Sequence, residues 1–295
     1  MSEQQLQRIV GMIRSKPVKT DQTIEEERQD YEGLALLPSP SDIKTQPVTA
    51  DGVPAEWVYA PSADVGRAVL YLHGGGYVLG SIDTHRALAG RISRAAQARV
   101  LLVDYRLAPE HPFPAALDDS LAAYRWMLAD GANPARVVLG GDSAGGGLAV
   151  ATLVAIKDAR LPMPAAAVCI SPWVDLECVG DSMTTRTTVD PWIDREYLTR
   201  KAALYLAGKH PHTPLAAPVY ADLRGLPPLL IQVGTAEILL DDSKRLAERA
   251  RRAGVDVVLE TWEGMIHGWH AFAEALDEGQ LAIDRLGEFI RANAA

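Results

Sequence analysis

Gly141-Asp142-Ser143-Ala144-Gly145 sets one serine between glycines two residues away on either side. The apolar run Val137-Val138-Leu139 before it reads as a buried strand, and Gly147 to Ile156 after it reads as a buried helix. In a tight strand-to-helix turn, G-x-S-x-G strains the serine backbone and exposes its hydroxyl. The flanking glycines let neighbouring backbones approach without a Cβ clash. A glycine-rich turn that merely opens a helix is the plain alternative. A serine hydroxyl is a weak nucleophile, so the chemical reading requires three partners. These are a base, an acid that fixes the tautomer of the base, and N–H donors where negative charge develops.

The donors are found in His73-Gly74-Gly75-Gly76, which directly follows the apolar run Ala68 to Leu72. Glycines after a strand free backbone N–H groups to face a ligand, as in the oxyanion loops of lipases and esterases. The N–H groups of Gly74, Gly75 and Ala144 are therefore assigned to an oxyanion hole, with His73 shaping the loop. On a sheet of this type the chain order is serine, acid, histidine. Only His267 and His270 lie late enough. His267 sits in a loop next to Gly268, whereas His270 falls on a following helix, in a surface or packing role. His85, His111, His210 and His212 come too early. The acid belongs after the strand Leu229 to Val233, as Glu237, Asp241 or Asp242. The two aspartates have another explanation, as N-terminal residues of the helix that follows. Glu237 has none.

These residues need a scaffold, and the composition allows a large one. The chain has 295 residues, 48% of them hydrophobic, so it can bury a substantial core. The net charge of −9 disfavours nucleic acid and anionic membranes as partners. Cys169 and Cys178 are too few for a disulfide framework. There is no basic leader before an apolar segment, and no apolar run approaches the roughly 18 residues of a spanning helix. A cytoplasmic protein is expected. Neither a nucleotide motif nor a metal-ligand motif accompanies His210-Pro211-His212 or His267-Gly268-Trp269-His270, so no cofactor and no metal are expected.

Leu6, Ile9, Val10 and Ile13 recur at helical spacing, and Thr23 with Glu26 forms a capping box for a second helix ended by Gly33. Pro38, Pro40 and Pro47 mark an irregular crossing before the first strand. Strands are expected at 56–60, 68–72, 99–105, 137–139, 165–170, 229–233 and 255–260. Helices are expected at 85–98, from Pro114, across Gly147 to Ile156, from Asp241 or Asp242 to Gly254, and from about Glu278. Residues 175 to 213 break the pattern and read as an insertion outside the sheet. Alternating strands and helices give an α/β fold with a mainly parallel sheet.

The segments His73-Gly74-Gly75-Gly76-Tyr77, Asp104 to Ala115 (DYRLAPEHPFPA), Gly141 to Gly146 (GDSAGG) and His267-Gly268 together carry a resemblance. From about residue 45 to the C-terminus the chain resembles the hormone-sensitive-lipase-like carboxylesterases, the bacterial family IV esterases. The resemblance implies a single α/β-hydrolase domain over 1–295, its sheet flanked by helices. It also implies a helical cap built from about 1–45 and about 175–213. Family members carry Asp-x-Leu-x-Asp at the acid position. The same register here reads Glu237-Ile238-Leu239-Leu240-Asp241, so the implied acid is Glu237, a glutamate where aspartate is usual. Tyr77, Trp173, Trp192 and Trp269 become candidates for the pocket wall. The implied activity is hydrolysis of short-chain carboxylic esters through an acyl-enzyme at Ser143, with His267 as base and a small ester as partner. A homodimer is also implied. An amidase or lactonase would use the same machinery, and a receptor on this fold would lack the serine or the histidine.

Overall fold

The computed structural model describes residues 2–15 and 22–295. Its elements run α1 (Ser2–Arg14), α2 (Ile24–Tyr31), β1 (Lys44–Ala50), β2 (Val53–Tyr59), β3 (Asp64–Leu72), α3 (Ile82–Ala96), β4 (Ala98–Val103) and α4 (Ala115–Ala129). They continue with β5 (Val137–Asp142), α5 (Ala144–Asp158), β6 (Ala166–Ile170), α6 (Ser182–Thr185), α7 (Arg195–Leu206), β7 (Leu229–Gly234), α8 (Leu240–Arg252), β8 (Val257–Trp262) and α9 (Asp277–Asn293). The strands form one eight-stranded sheet, ordered β1-β2-β4-β3-β5-β6-β7-β8. The β1–β2 and β2–β4 pairs are antiparallel, and every later pair is parallel. This is an α/β-hydrolase fold.

The period-2 pattern of the strands explains the layering. Leu70, Leu72, Leu101 and Val103 face one core, shared with α4, α5 and α8. Val69, Tyr71, Val100 and Leu102 face the other, closed by α3 and α9. Helix α5 is buried from Ala144 through Ile156, as its unbroken apolar sequence requires. It stands behind the central strand β5, so the turn between them sits at the carboxyl edge of the sheet.

Strand β1 departs from expectation. Pro47 suggested an irregular crossing, yet it lies in an edge strand, opposite Glu56. An edge strand has a free side, so a residue without an N–H costs no ladder bond there. The capping box at Thr23 is present, with Glu26 N–H donating to Thr23 Oγ1 and Thr23 N–H to Glu26 Oε2. Gly33 does not end α2, because a 3-10 turn over Glu32–Leu36 carries the chain on. Helix α1 packs Leu6 and Ile9 against Met265, Ile266, Trp269 and Phe272, beside the loop that carries His267. Residues 175–213 contain no strand and rise outside the sheet with α6 and α7.

Candidate active site

Ser143 is the residue between β5 and α5. Its backbone has φ 52° and ψ −122°, a conformation that side-chain-bearing residues rarely adopt. The sequence permits it locally. A Cβ on Gly145 would overlap the carbonyl of Leu72, and one on Gly141 would overlap that of Gly145. The turn is pinned from the neighbouring strand as well: Ser143 N–H donates to Ile170 O (2.8 Å), and Trp173 N–H donates to Ser143 O (2.9 Å). Ser143 heads α5, where the first helical N–H groups, Ala144 included, lack intrahelical partners and the helix dipole is positive.

His267 and Glu237 come together 30 residues apart in sequence, with His267 Nδ1 2.9 Å from Glu237 Oε2. The second carboxylate oxygen, Oε1, accepts from Gly234 N–H (2.6 Å) and from Ser171 Oγ–H (2.8 Å). Glu237 is fully buried. A buried carboxylate facing Nδ1 places the ring proton there and leaves Nε2 as the lone-pair nitrogen. Burial alone would lower the His267 pKa, but the hydrogen bond and charge of Glu237, with the charges of Asp190 and Asp142, hold it above the ordinary value.

Neither aspartate of the acid loop reaches His267. Asp241 Oδ2 accepts from Ser182 N–H (2.8 Å). Asp242 Oδ2 accepts from Val174 and Asp175 N–H, at 3.0 Å each. They do not cap α8, whose N-cap is Leu239, but both lie in its first turn, at the positive end of the helix dipole, as expected. The two side chains also hold down the chain that leaves β6.

The glycine loop differs from expectation at its first glycine. Gly74 N–H points at Asp142 Oδ1 (3.2 Å), and Gly74 is absent from the wall of the cavity over Ser143. Gly75 and Gly76 both line that cavity. A Cβ on Gly75, whose φ is +114°, would overlap the carbonyl of Leu79. His73 is buried and stacked on Tyr105 (4.2 Å, 13°), and burial lowers its pKa to about 3, so it stays neutral and shapes the loop. His270 is likewise held neutral by burial, its pKa lowered to about 3, and its Nε2 lies 2.7 Å from Gln232 Oε1.

The cavity has a volume of about 320 Å³. Ser143, His267, Gly75 and Gly76 lie in its wall, and so do Tyr31 and Leu34 from the N-terminal segment and Trp192, Ile193 and Leu198 from the 175–213 segment. Of the four expected wall aromatics, only Trp192 lines it. Tyr77 stacks on Tyr205 (3.8 Å), and Trp173 and Trp269 are buried core.

Residues 69–271 match the family model of the alpha/beta hydrolase fold. An acetyl-hydrolase of Streptomyces hygroscopicus is 52% identical over 244 residues, covering 83% of this chain and 81% of the relative. A crystal structure of an esterase from the bacterial hormone-sensitive lipase family superposes with a TM-score of 0.97 at 54% identity, over 99% of both chains. The esterase EstE5, in crystals soaked with p-nitrophenyl butyrate, gives a TM-score of 0.95 at 50% identity over 98% of both chains. The chain belongs to the hormone-sensitive-lipase-like carboxylesterases. It is thereby a carboxylic ester hydrolase.

Within this carboxylesterase, three groups at the site carried no sequence signal. Ser171 follows β6 at φ 44° and reaches Glu237 across 66 residues of chain. Asp142, beside the nucleophile, accepts from Tyr71 Oη–H (2.9 Å) and Gly74 N–H, with His85 Nε2 3.3 Å from its other oxygen. Burial works to raise the Asp142 pKa, yet the charge and hydrogen bond of His85, with the Tyr71 hydroxyl, keep it below the ordinary value. Finally, Glu27 on α2 pairs with Lys201 and Arg200 on α7, so one buried carboxylate joins the two segments above the cavity.

Proposed function

We propose that the protein hydrolyses short-chain carboxylic esters through an acyl-enzyme formed on Ser143, with His267 as base and Glu237 as the acid of the triad. The observation that carries this reading is the buried 2.9 Å pair of His267 and Glu237, in one cavity with a serine held in a strained turn.

Ser143 Oγ attacks the ester carbonyl while its proton passes to His267 Nε2. Glu237 holds the ring by Nδ1 and stabilises the imidazolium. The negative oxygen is met by the N–H groups of Gly75, Gly76 and Ala144. Gly76 takes the place first assigned to Gly74, whose N–H serves Asp142. The tetrahedral intermediate collapses, His267 protonates the leaving alcohol, and the acyl group remains on Ser143. Water, deprotonated by His267, then attacks the acyl carbonyl and releases the carboxylic acid. The N-terminal helices and residues 175–213 act as a cap over the site, which suits a small acyl group in a cavity of about 320 Å³. The two buried free cysteines fit a cytoplasmic setting.

Ser143→Ala is expected to fold normally and to lose p-nitrophenyl acetate and butyrate hydrolysis, with no acyl adduct detectable by mass spectrometry. Retention of wild-type turnover would overturn the scheme. A series of p-nitrophenyl esters of rising acyl length tests the substrate class, with kcat/KM expected to be greatest for the short acyl chains.

A further inference from the structure

Ile238 directly follows Glu237, and both of its backbone polar groups are taken by side chains of the 175–213 segment. Its N–H donates to Asp190 Oδ2 (3.0 Å), and its carbonyl accepts from Ser182 Oγ–H (2.6 Å). Ser182 also accepts from Asp241 N–H (3.1 Å) and, through its own N–H, binds Asp241 Oδ2. Asp190 has a second engagement: its Oδ1 accepts from Trp192 N–H (2.9 Å) and Ile193 N–H (3.2 Å). Trp192 and Ile193 are walls of the cavity. Asp190 and Ser182 are both buried. One carboxylate thus spans the substrate wall and the peptide next to the acid of the triad.

We propose that Asp190 and Ser182 are positioning residues that clamp Ile238 and so fix the Glu237 carboxylate against His267. Through Asp190 the clamp ties that alignment to the Trp192–Ile193 wall. The proposal rests on the triad assigned above. Glu237 is itself tied to the core by Gly234 and Ser171 through its side chain, and the N–H and carbonyl of the residue that follows it, Ile238, are held by this clamp. The Glu237–His267 bond depends on placement within fractions of an ångström, and small displacements at such a bond cost large factors in rate. The charged and titratable groups that face His267 are Glu237, which is bonded to it, and Asp190, Asp142 and His270. Burial raises the Asp190 pKa against the pull of His267 and of the N–H groups it binds, and in its ionised form its charge adds to that of Glu237 on His267.

The test compares wild type, Asp190→Asn and Ser182→Ala, using p-nitrophenyl butyrate kinetics across pH and an NMR titration of the His267 imidazole. Asp190→Asn removes a negative charge and offers an amide N–H to one of its N–H partners. It is expected to lower kcat on the order of 10- to 100-fold and to move the acid limb of kcat/KM to lower pH. Ser182→Ala keeps every charge. It is expected to lower kcat by a smaller factor, leaving KM and the acid limb in place. A merely architectural Asp190 would change KM or thermal stability and leave kcat and the limb unmoved, and that result overturns the proposal. Should Asp190→Asn not fold, an unchanged kcat in Ser182→Ala overturns it alone. The NMR titration separates this proposal from the ester-hydrolysis reading. If wild type turned over no ester, that reading would fall, whereas the clamp falls if His267 titrates alike in wild type and Asp190→Asn.

Discussion

Replacing Glu237 by glutamine tests the triad acid with almost no change of shape. The carboxylate serves three donors: Gly234 N–H and Ser171 Oγ–H at Oε1, and His267 Nδ1–H at Oε2. A glutamine keeps the first two with its carbonyl oxygen, so the buried loop retains its bonds. It then presents an NH₂ to Nδ1. Two donors cannot face each other in a buried site, so the imidazole must shift its proton to Nε2. That nitrogen is the one that has to accept the proton of Ser143. The variant therefore holds its base in the wrong tautomer and also loses the charge that stabilises the imidazolium. A tautomer trap of this kind costs on the order of 10⁴ in kcat, about 5.4 kcal/mol of transition-state stabilisation at 1.36 kcal/mol per decade. The assay is kcat and kcat/KM on p-nitrophenyl butyrate, with thermal unfolding as the control for folding. Asp241→Asn is the comparison, because Asp241 binds Ser182 N–H and Lys244 and does not touch His267. Its activity is expected to stay within a few-fold of wild type. Glu237→Gln within tenfold of wild type, or an equal loss in Asp241→Asn, would refute the assignment.

The pH–rate profile of wild type should show an acid limb above the ordinary histidine pKa of about 6.5. The buried Glu237 pair and nearby carboxylates raise the His267 pKa, and only neutral His267 can act as base, so activity is lost as pH falls through that value. A limb at or below the ordinary value contradicts this. Asp242→Asn should stabilise the fold by an amount that depends on pH. Burial raises the Asp242 pKa to about 8, so between about pH 4 and pH 8 the folded protein holds a proton that the unfolded chain releases, and stability falls across that window. Asparagine stays neutral, so its advantage should grow over the same window to several kcal/mol, with about 6 kcal/mol as the ceiling. A pH-independent difference in urea denaturation would disprove it. Glu27→Gln strands the ammonium of Lys201, which is fully buried, and should cost on the order of 3–5 kcal/mol in urea denaturation. Lys201→Met should cost less, because Glu27 keeps Arg200 at 2.5 Å. Equal costs would remove the argument.

The parts of this site that were legible in the sequence are those whose chemistry is local. Ser143 needs its glycines within two residues, so the turn can be read from a seven-residue window. Glu237 and His267 follow from chain order, because the parallel strands β3 to β8 end at the same edge of the sheet. Gly74 shows where such reading stops. Three consecutive glycines are alike as letters, and which N–H faces the cavity depends on Asp142, 68 residues away, capturing the first of them. Pro47 misled for a related reason, since a residue without an N–H says nothing about which side of an edge strand is free. Asp241 and Asp242 looked like helix caps because acidic residues at a helix start commonly are. Their side-chain partners, Ser182, Val174 and Asp175, come from the chain after β6, where helical periodicity is too weak to place them.

The stretch from Asp104 to Ala115 offered no chemical group in the sequence, and its structure explains why. It works through its backbone and through side chains that bind backbone. Tyr105 Oη–H donates to His73 O (2.7 Å), and Ala108 N–H donates to Tyr77 O (2.9 Å), so both ends of the glycine loop hang from it. Arg28 of α2 then bridges the two. Its guanidinium donates to Val78 O (2.9 Å) in the loop, to Ala108 O (3.1 Å) and to the Glu110 carboxylate. Phe113 N–H donates to Tyr205 O (2.8 Å) at the end of α7, and Tyr205 stacks on Tyr77. The glycine loop, α2 and α7 thus meet at one stretch. Glycines supply donors only where something else fixes their direction, because they have no side chains to pack. Rigidity must be imported, and a proline-rich segment with little backbone freedom is a suitable source. The segment without chemistry is therefore the part that holds the glycine loop, α2 and α7 in one frame.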